Sequence, residues 1–430
     1  MSQPVIPEAH KSNLDRILID AGSRNATPAL FFGVTNSEGP IYMRAVGNHV
    51  VGDPGSAQVN EDTLFWLCSM AKLITTIAAL QLIEQNLLTL DTPVDSILPG
   101  LANPVIVTSH DDRGYPATTT PAKGKILFGQ LLNHSSGLDL AVDGKVFSSG
   151  PLQPTHPIIW HKYEEGEGGD KFLEILKGSL PGVPLLFEPG TSFAYAWSTD
   201  CVGFIVERLS GKSLEQYCQD HIYLPLGVTT LSFFPTPEMK KQLLPLTYRT
   251  KSGKLEPWTG PSFDRDFTQP AFGGGGLYGS LKEYLTILRH LLQIKGTVLF
   301  LMEHLPRSGT MMTTTPLLSQ ASVESMFSPS LTPTGAIEAC KKFKVFLPHL
   351  AVPPAEGQFG NGLFVNTEDV PGRRRKGTGA WCGWAGTSFF IDPTTGIAAV
   401  LGTQILPTGD SAYDMIRDEL EVALYAAFED

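Results

Sequence analysis

The chain has 430 residues, 42% of them apolar and 17% charged, with 23 phenylalanines. That composition excludes intrinsic disorder, coiled coil and collagen, and at roughly 100–200 residues per domain the length suits two or three folding units or one large two-lobed unit. With 32 basic against 43 acidic residues the net charge is −11, which argues against nucleic acid or an anionic membrane surface as the main partner. Cys68, Cys201, Cys218, Cys340 and Cys382 form an odd set without Cys-x-x-Cys or Cys/His spacing, so neither a disulfide framework nor a metal site is expected. The first residues lack the basic start and apolar stretch of a signal peptide, and the longest nearly apolar run, 74–83, is too short to span a bilayer. A cytoplasmic location is the resulting expectation.

In chain order, apolar residues at helical spacing (Leu14, Ile17, Leu18) predict a helix over 8–21. The period then changes to that of a strand at 29–35 and 41–46 around Asn36-Ser37-Glu38-Gly39, predicting a hairpin. Ser69-Met70-Ala71-Lys72 opens a strongly helical run through Leu82. Residues 102–270 are rich in Gly, Pro, Ser and Thr, with short helical stretches at 127–133, 172–176 and 199–209. Gly273–Gly276 and a helix over 281–292 mark a return, and a second hairpin, 387–391 with 397–403, flanks Pro393-Thr394-Thr395-Gly396 before a helix over 412–428. The expected organisation is an α/β lobe built from both chain ends, 1–101 and 271–430, with an inserted, mostly helical lobe at 102–270. A cleft between lobes is a natural place for a site.

Ser69 and Lys72, three residues apart at a helix start, share one face. A serine hydroxyl needs a base to become nucleophilic, and a lysine serves only if burial lowers its pKa toward neutrality. The helix's positive end would favour a developing anion at Ser69. One Ser-x-x-Lys tetrad is expected by chance in such a chain, so the pair alone is a weak signal. Tyr195, before another helix start, could shuttle protons if held against a lysine ammonium, although a lone tyrosine is more often a packed aromatic. The glycines of 377–386 could bring a strand edge and its N–H groups to a bound carbonyl, or form an ordinary turn. His134 is more often structural than a base, and Cys68 more often packed than nucleophilic. Arg373, Arg374, Arg375 and Lys376 read as a solvated face or as a docking patch for an acidic acyl carrier protein. Gly-x-Ser-x-Gly and His-Glu-x-x-His are absent from the chain.

Taken together and in this order, Ser69-Met70-Ala71-Lys72, Leu87–Val94, Leu131-Leu132-Asn133-His134-Ser135-Ser136-Gly137-Leu138, Tyr195-Ala196-Trp197, Phe272–Leu277 and Arg374-Arg375-Lys376-Gly377 resemble the serine β-lactamase and penicillin-binding-protein superfamily. The likeness covers residues 27–49 and 61–428. Within the superfamily the chain is most similar to the class C-like esterase branch and its fungal transesterases that acylate polyketide alcohols. The resemblance implies a β-lactamase/transpeptidase-like α/β fold, an antiparallel sheet flanked by helices, and no cofactor. It implies Ser69 as acyl-accepting nucleophile, Lys72 as general base and Tyr195 as proton relay. The backbone N–H groups of Ser69 and of Gly383 or Trp384 would form the oxyanion hole, and His134 would belong to a structural turn.

Two departures bear on substrate. Trp197 stands where such enzymes usually carry the asparagine of Tyr-x-Asn, and Trp381-Cys382-Gly383 stands near the usual Lys-Thr-Gly. Aromatic groups in place of polar and cationic ones favour a neutral, hydrophobic substrate over a β-lactam or peptidoglycan, with Trp197, Trp381 and Gly275 lining its site. The expected activity is acyl transfer from an ester or carrier-protein thioester to an alcohol of a small secondary metabolite. The alternatives are a carboxylesterase and a metabolite-binding protein without catalysis.

Overall fold

The computed structural model describes residues 3–23, 27–112, 116–138, 158, 161–164, 166–260, 270–303, 315–346, 357–406 and 408–429. Helix α1 (Glu8–Ser23) leads into the hairpin β1 (Leu30–Thr35) and β2 (Pro40–Val46), followed by β3 (Leu64–Cys68) and α2 (Ala71–Glu84). Short elements fill the central stretch: β4 (Val105–His110), β5 (Pro116–Pro121), α3 (Phe128–Leu132), α4 (Gly169–Lys177), β6 (Pro184–Leu185), α5 (Ser198–Ser210), α6 (Leu214–Cys218), α7 (Leu224–Leu226), α8 (Pro237–Gln242), β7 (Thr247–Arg249) and β8 (Leu255–Pro257). The chain continues through β9 (Leu277–Ser280), α9 (Leu281–Glu303), α10 (Gln320–Phe327) and α11 (Pro333–Phe346). It closes with β10 (Gly357–Phe359), β11 (Phe364–Asn366), β12 (Gly379–Gly383), β13 (Thr387–Asp392), β14 (Ile397–Gly402), β15 (Ile405–Leu406) and α12 (Ser411–Ala426).

The largest sheet has the strand order β10-β11-β12-β13-β14-β1-β2, every pairing antiparallel. Alternation along its central strands sorts side chains to two cores. Leu30, Phe32, Val34, Ile397, Ala399 and Leu401 face α1 and α12, where Leu14, Leu18, Leu420 and Leu424 cover them. Phe31, Ala398 and Val400 point the other way, into the core that holds α2 and α9. Both expected hairpins form, and their turns are closed by side chains. Asn36 Oδ1 accepts the N–H groups of Glu38 and Gly39, and Asp392 Oδ1 accepts those of Thr394 and Thr395. The smaller sheets are β15-β7-β8, β3-β9 and β5-β4-β6. Thr118, Thr119 and Thr120 of β5 favour that extended pairing through their branched Cβ atoms. No described helix is long and apolar enough to cross a membrane.

Candidate active site

Every residue of β3 is buried, and the strand ends at Cys68, whose φ of +50° turns the chain sharply into Ser69 and α2. Ser69 lies just before the helix: the Lys72 N–H donates to the Ser69 carbonyl at 3.2 Å, and the Tyr284 hydroxyl donates to the Met70 carbonyl at 2.9 Å. Gln404 clamps the strand from the side by accepting the Trp66 N–H and donating back to the Trp66 carbonyl. Helix α2 is apolar nearly all round and buried all round, which fixes its rotation as well as its position. Lys72 is carried into that interior and is 5% exposed.

Lys72 Nζ lies 3.3 Å from Ser69 Oγ and donates to the Gly274 carbonyl at 2.5 Å. It also stands over the Tyr195 ring, 4.6 Å from its centroid. Burial lowers its pKa to about 8, and the charge of Asp200 opposes that fall. A substantial neutral fraction near pH 8 is what a general base requires.

Tyr195 is placed by the turn that precedes it in space. The Ala194 N–H donates to the His134 carbonyl at 2.9 Å, the Gly190 N–H donates to the Ser135 carbonyl at 2.7 Å, and Ser136 Oγ meets Ser198 Oγ at 2.9 Å. Residues 133–138 are therefore a bracket for the tyrosine segment. His134 itself, at φ +61°, sits 4.9 Å from the Tyr195 ring in a cluster with Phe193, Phe359 and Trp381. Burial holds its imidazole pKa well below the ordinary value, so it is neutral at working pH. Burial also raises the Tyr195 phenol, while its hydrogen bond to Ser69 acts in the opposite direction.

Strand β12 approaches β3 so closely that a Cβ on Gly383 would stand 2.4 Å from the Leu67 carbonyl oxygen; only glycine fits there. Trp384 is half-buried and packs edge-on against Trp66 at 6.4 Å. Burial pushes the Cys68 thiol up out of its reactive range, against hydrogen bonds from the Ala385 and Trp384 N–H groups. A Cβ on Gly275 would project into open space, while its carbonyl accepts the Trp66 indole N–H at 2.9 Å.

Three expectations need correction. Trp197 is 6% exposed and packs edge-on against Phe172 at 5.4 Å, and Trp381 is 1% exposed among Tyr195, Phe343 and Phe359. Both indoles therefore back the site rather than line it, because their neighbours offer a dry aromatic core to fill. The basic run is not a free docking patch. Arg373 pairs with Asp418, buried Arg374 with Glu421 at 2.8 Å, and Arg375 with Glu429, so α12 and the chain after it take three of the four cations and Lys376 is left exposed.

Asp200 is a residue that the sequence reading misses. It lies in the first turn of α5, 3% exposed, and accepts the Gly274 N–H at 3.0 Å. Burial raises its carboxyl to about 6, against the pull of Lys72 and the Gly274 N–H. Its faint signal is an acid at the start of a helix whose following residues, Cys201, Val202, Phe204 and Ile205, are all apolar. Among the described residues no group of three or more His, Cys, Asp or Glu is arranged to hold a metal ion.

The chain is similar to known proteins over most of its length. The chain is 30% identical over 379 residues to monacolin J acid methylbutanoyltransferase of Aspergillus terreus, covering 86% of this chain and 83% of that protein. It is 29% identical over 407 residues to lovastatin esterase of Penicillium rubens, covering 92% and 93%. Its fold superposes on a mutant simvastatin synthase from Aspergillus terreus with a TM-score of 0.78 at 27% identity, covering 98% of both chains. The architecture is thus the β-lactamase/transpeptidase-like one expected from the sequence. Residues 14–424 match the beta-lactamase family, and the chain is an enzyme that belongs to it.

Proposed function

We propose that the protein is a serine acyltransferase that moves an acyl group from an ester or thioester to an alcohol of a small secondary metabolite. The observation that carries this reading is the placement of one buried lysine against the serine hydroxyl and the tyrosine ring at the same time. Neutral Lys72 takes the Ser69 proton as Oγ bonds to the donor's acyl carbon. The resulting oxyanion is held by the N–H of Ser69 and by an N–H at Gly383 or Trp384. The proton passes from Lys72 by way of Tyr195 to the departing alkoxide or thiolate as the carbon–heteroatom bond breaks, leaving acyl-Ser69. The acceptor alcohol then gives up its proton along the same route in reverse, bonds to the acyl carbon and releases Ser69.

In this reading the lobe formed by 102–270 supplies Tyr195 to a serine and lysine carried by the lobe of 1–101 and 271–430. Half-exposed Trp384 and the open edge at Gly275 would meet a neutral, hydrophobic substrate. A carrier-protein donor would have to dock elsewhere than on Arg373, Arg374 and Arg375. The methylbutanoyltransferase relative supports transfer, and the esterase relative supports a second reading in which water discharges acyl-Ser69.

Intact-protein mass spectrometry after brief exposure to a short-chain acyl thioester, with and without polyketide alcohols, separates the two. An adduct on Ser69 that discharges faster with an alcohol and yields its ester is the expected result. An adduct that water clears at one rate whatever alcohol is present makes the protein an esterase, and no adduct with any donor overturns both readings.

A further inference from the structure

The Gly273–Gly274 peptide is gripped from both sides. Thr75 Oγ1, one turn after Lys72 on α2, donates to the Gly273 carbonyl at 2.9 Å, and Asp200 Oδ1 of α5 accepts the Gly274 N–H at 3.0 Å. The next carbonyl, that of Gly274, is the one that receives Lys72 Nζ. Contact between carboxylate and backbone is tight enough to fix the residue type, since a Cβ on Gly274 would stand 2.5 Å from Asp200 Oδ2. A buried carboxylate held only by backbone N–H groups, that of Gly274 and its own, is an expensive element for structure alone. No ion pair within 4 Å joins Asp200 to Lys72; the peptide lies between them.

We propose that Asp200 is a positioning residue for acylation: through the Gly274 peptide it holds Lys72 Nζ against Ser69, and its charge tunes the base. This rests on the reading of Lys72 as general base. Lys72 is faced by Cys68 of β3, Cys382 of β12, Tyr195 and His134, and Asp200 is faced by Lys72, Tyr163, Tyr195 and Cys201. Burial holds the thiols and phenols protonated and the imidazole neutral. Among the described residues Asp200 is therefore the anion that the lysine feels. Removing its charge lets desolvation lower the Lys72 pKa further, while removing its oxygen frees the peptide.

The test is the rate at which a fluorophosphonate labels Ser69, followed by intact mass across pH 5–10, in the wild type, Asp200→Asn and Asp200→Ala, with kcat and KM on p-nitrophenyl butyrate alongside. Asn retains an oxygen for the Gly274 N–H, so its high-pH plateau should stay within about threefold of wild type while the acid limb moves down by about half a pH unit or more. Ala should lose about 30-fold or more from the plateau and from kcat, with KM within about twofold. Wild-type rates in Ala, or an unmoved acid limb in Asn, would overturn the proposal. Should Ala fail to fold, the acid limb of Asn decides alone. If wild-type Ser69 takes no label at any pH, it is the reading of Ser69 and Lys72 that has failed, and the Asp200 variants are not needed to see it.

Discussion

Two of the buried cations, Arg374 and Lys72, serve opposite ends. Arg374, on the sheet face covered by α12, gives its Nε–H to Glu421 at 2.8 Å, with its guanidinium 5.9 Å from the Phe390 ring centroid. Lys72, in the other core, has no carboxylate in contact; its partners are a hydroxyl, a backbone carbonyl and the face of a phenol ring. A guanidinium paired with a carboxylate at contact distance serves structure. An ammonium kept at one peptide's remove from its anion lets go of its proton near pH 8 and can serve catalysis.

Changes at the two sites should therefore separate activity from stability. Ser69→Ala abolishes the acyl adduct, and Lys72→Met lowers kcat by about 10²–10⁴-fold, with the urea midpoint unchanged or raised because a desolvated cation has been removed. A Lys72→Met variant that kept more than a tenth of the wild-type rate would break the contrast. Tyr195→Phe should cost about 10²-fold in kcat, read as slower appearance of the first product in a stopped-flow trace. Glu421→Gln is expected to behave in the opposite way, removing about 3–5 kcal/mol of unfolding free energy while kcat per folded molecule holds; equal losses in both quantities would show that the two cores are coupled. With Lys72 as base, log kcat/KM rises with pH at unit slope and levels off near pH 8, because only the neutral amine accepts the serine proton. A flat profile from pH 5 to 9 would remove Lys72 from that role. The smallest effect belongs to exposed Lys376, where reversal to Glu should leave thioester kinetics and stability within error.

What was legible in the sequence follows from the range of the interactions. The two hairpins announced themselves because their alternation and turn residues act over a few positions, and Ser69 with Lys72 was visible because three residues is nearly one helical turn. Tyr195 was only weakly marked by its place before a helix start and took its role from the resemblance, since its bracket at His134 and Ser135 comes from some sixty residues away, on another element. Asp200 was hidden by its own position: an acid in the first turn of a helix reads as a complement to the helix dipole, and nothing local shows that it reaches Gly274. The arginine run misled for the same reason. Its partners Asp418, Glu421 and Glu429 lie 45 to 54 residues downstream. For Trp197 and Trp381 the motif position suggested a substrate surface, but the aromatic groups packed around them belong to four separate segments that no local pattern connects.

The place of β1 between β2 and β14 has a consequence for how the chain acquires its structure. A hydrogen bond from Thr27 to Thr403 ties residues 376 positions apart, and β1, next to the edge of the sheet, has no second neighbour until β14 exists. During synthesis α2, apolar on nearly all sides, must wait for α5 and α6, the helices packed on it, which lie more than a hundred residues downstream. Such long loop closures slow folding and leave partly built states open to aggregation. Recombinant yield should therefore respond to chaperone supply and to temperature during expression more strongly than the stability of the finished protein would suggest.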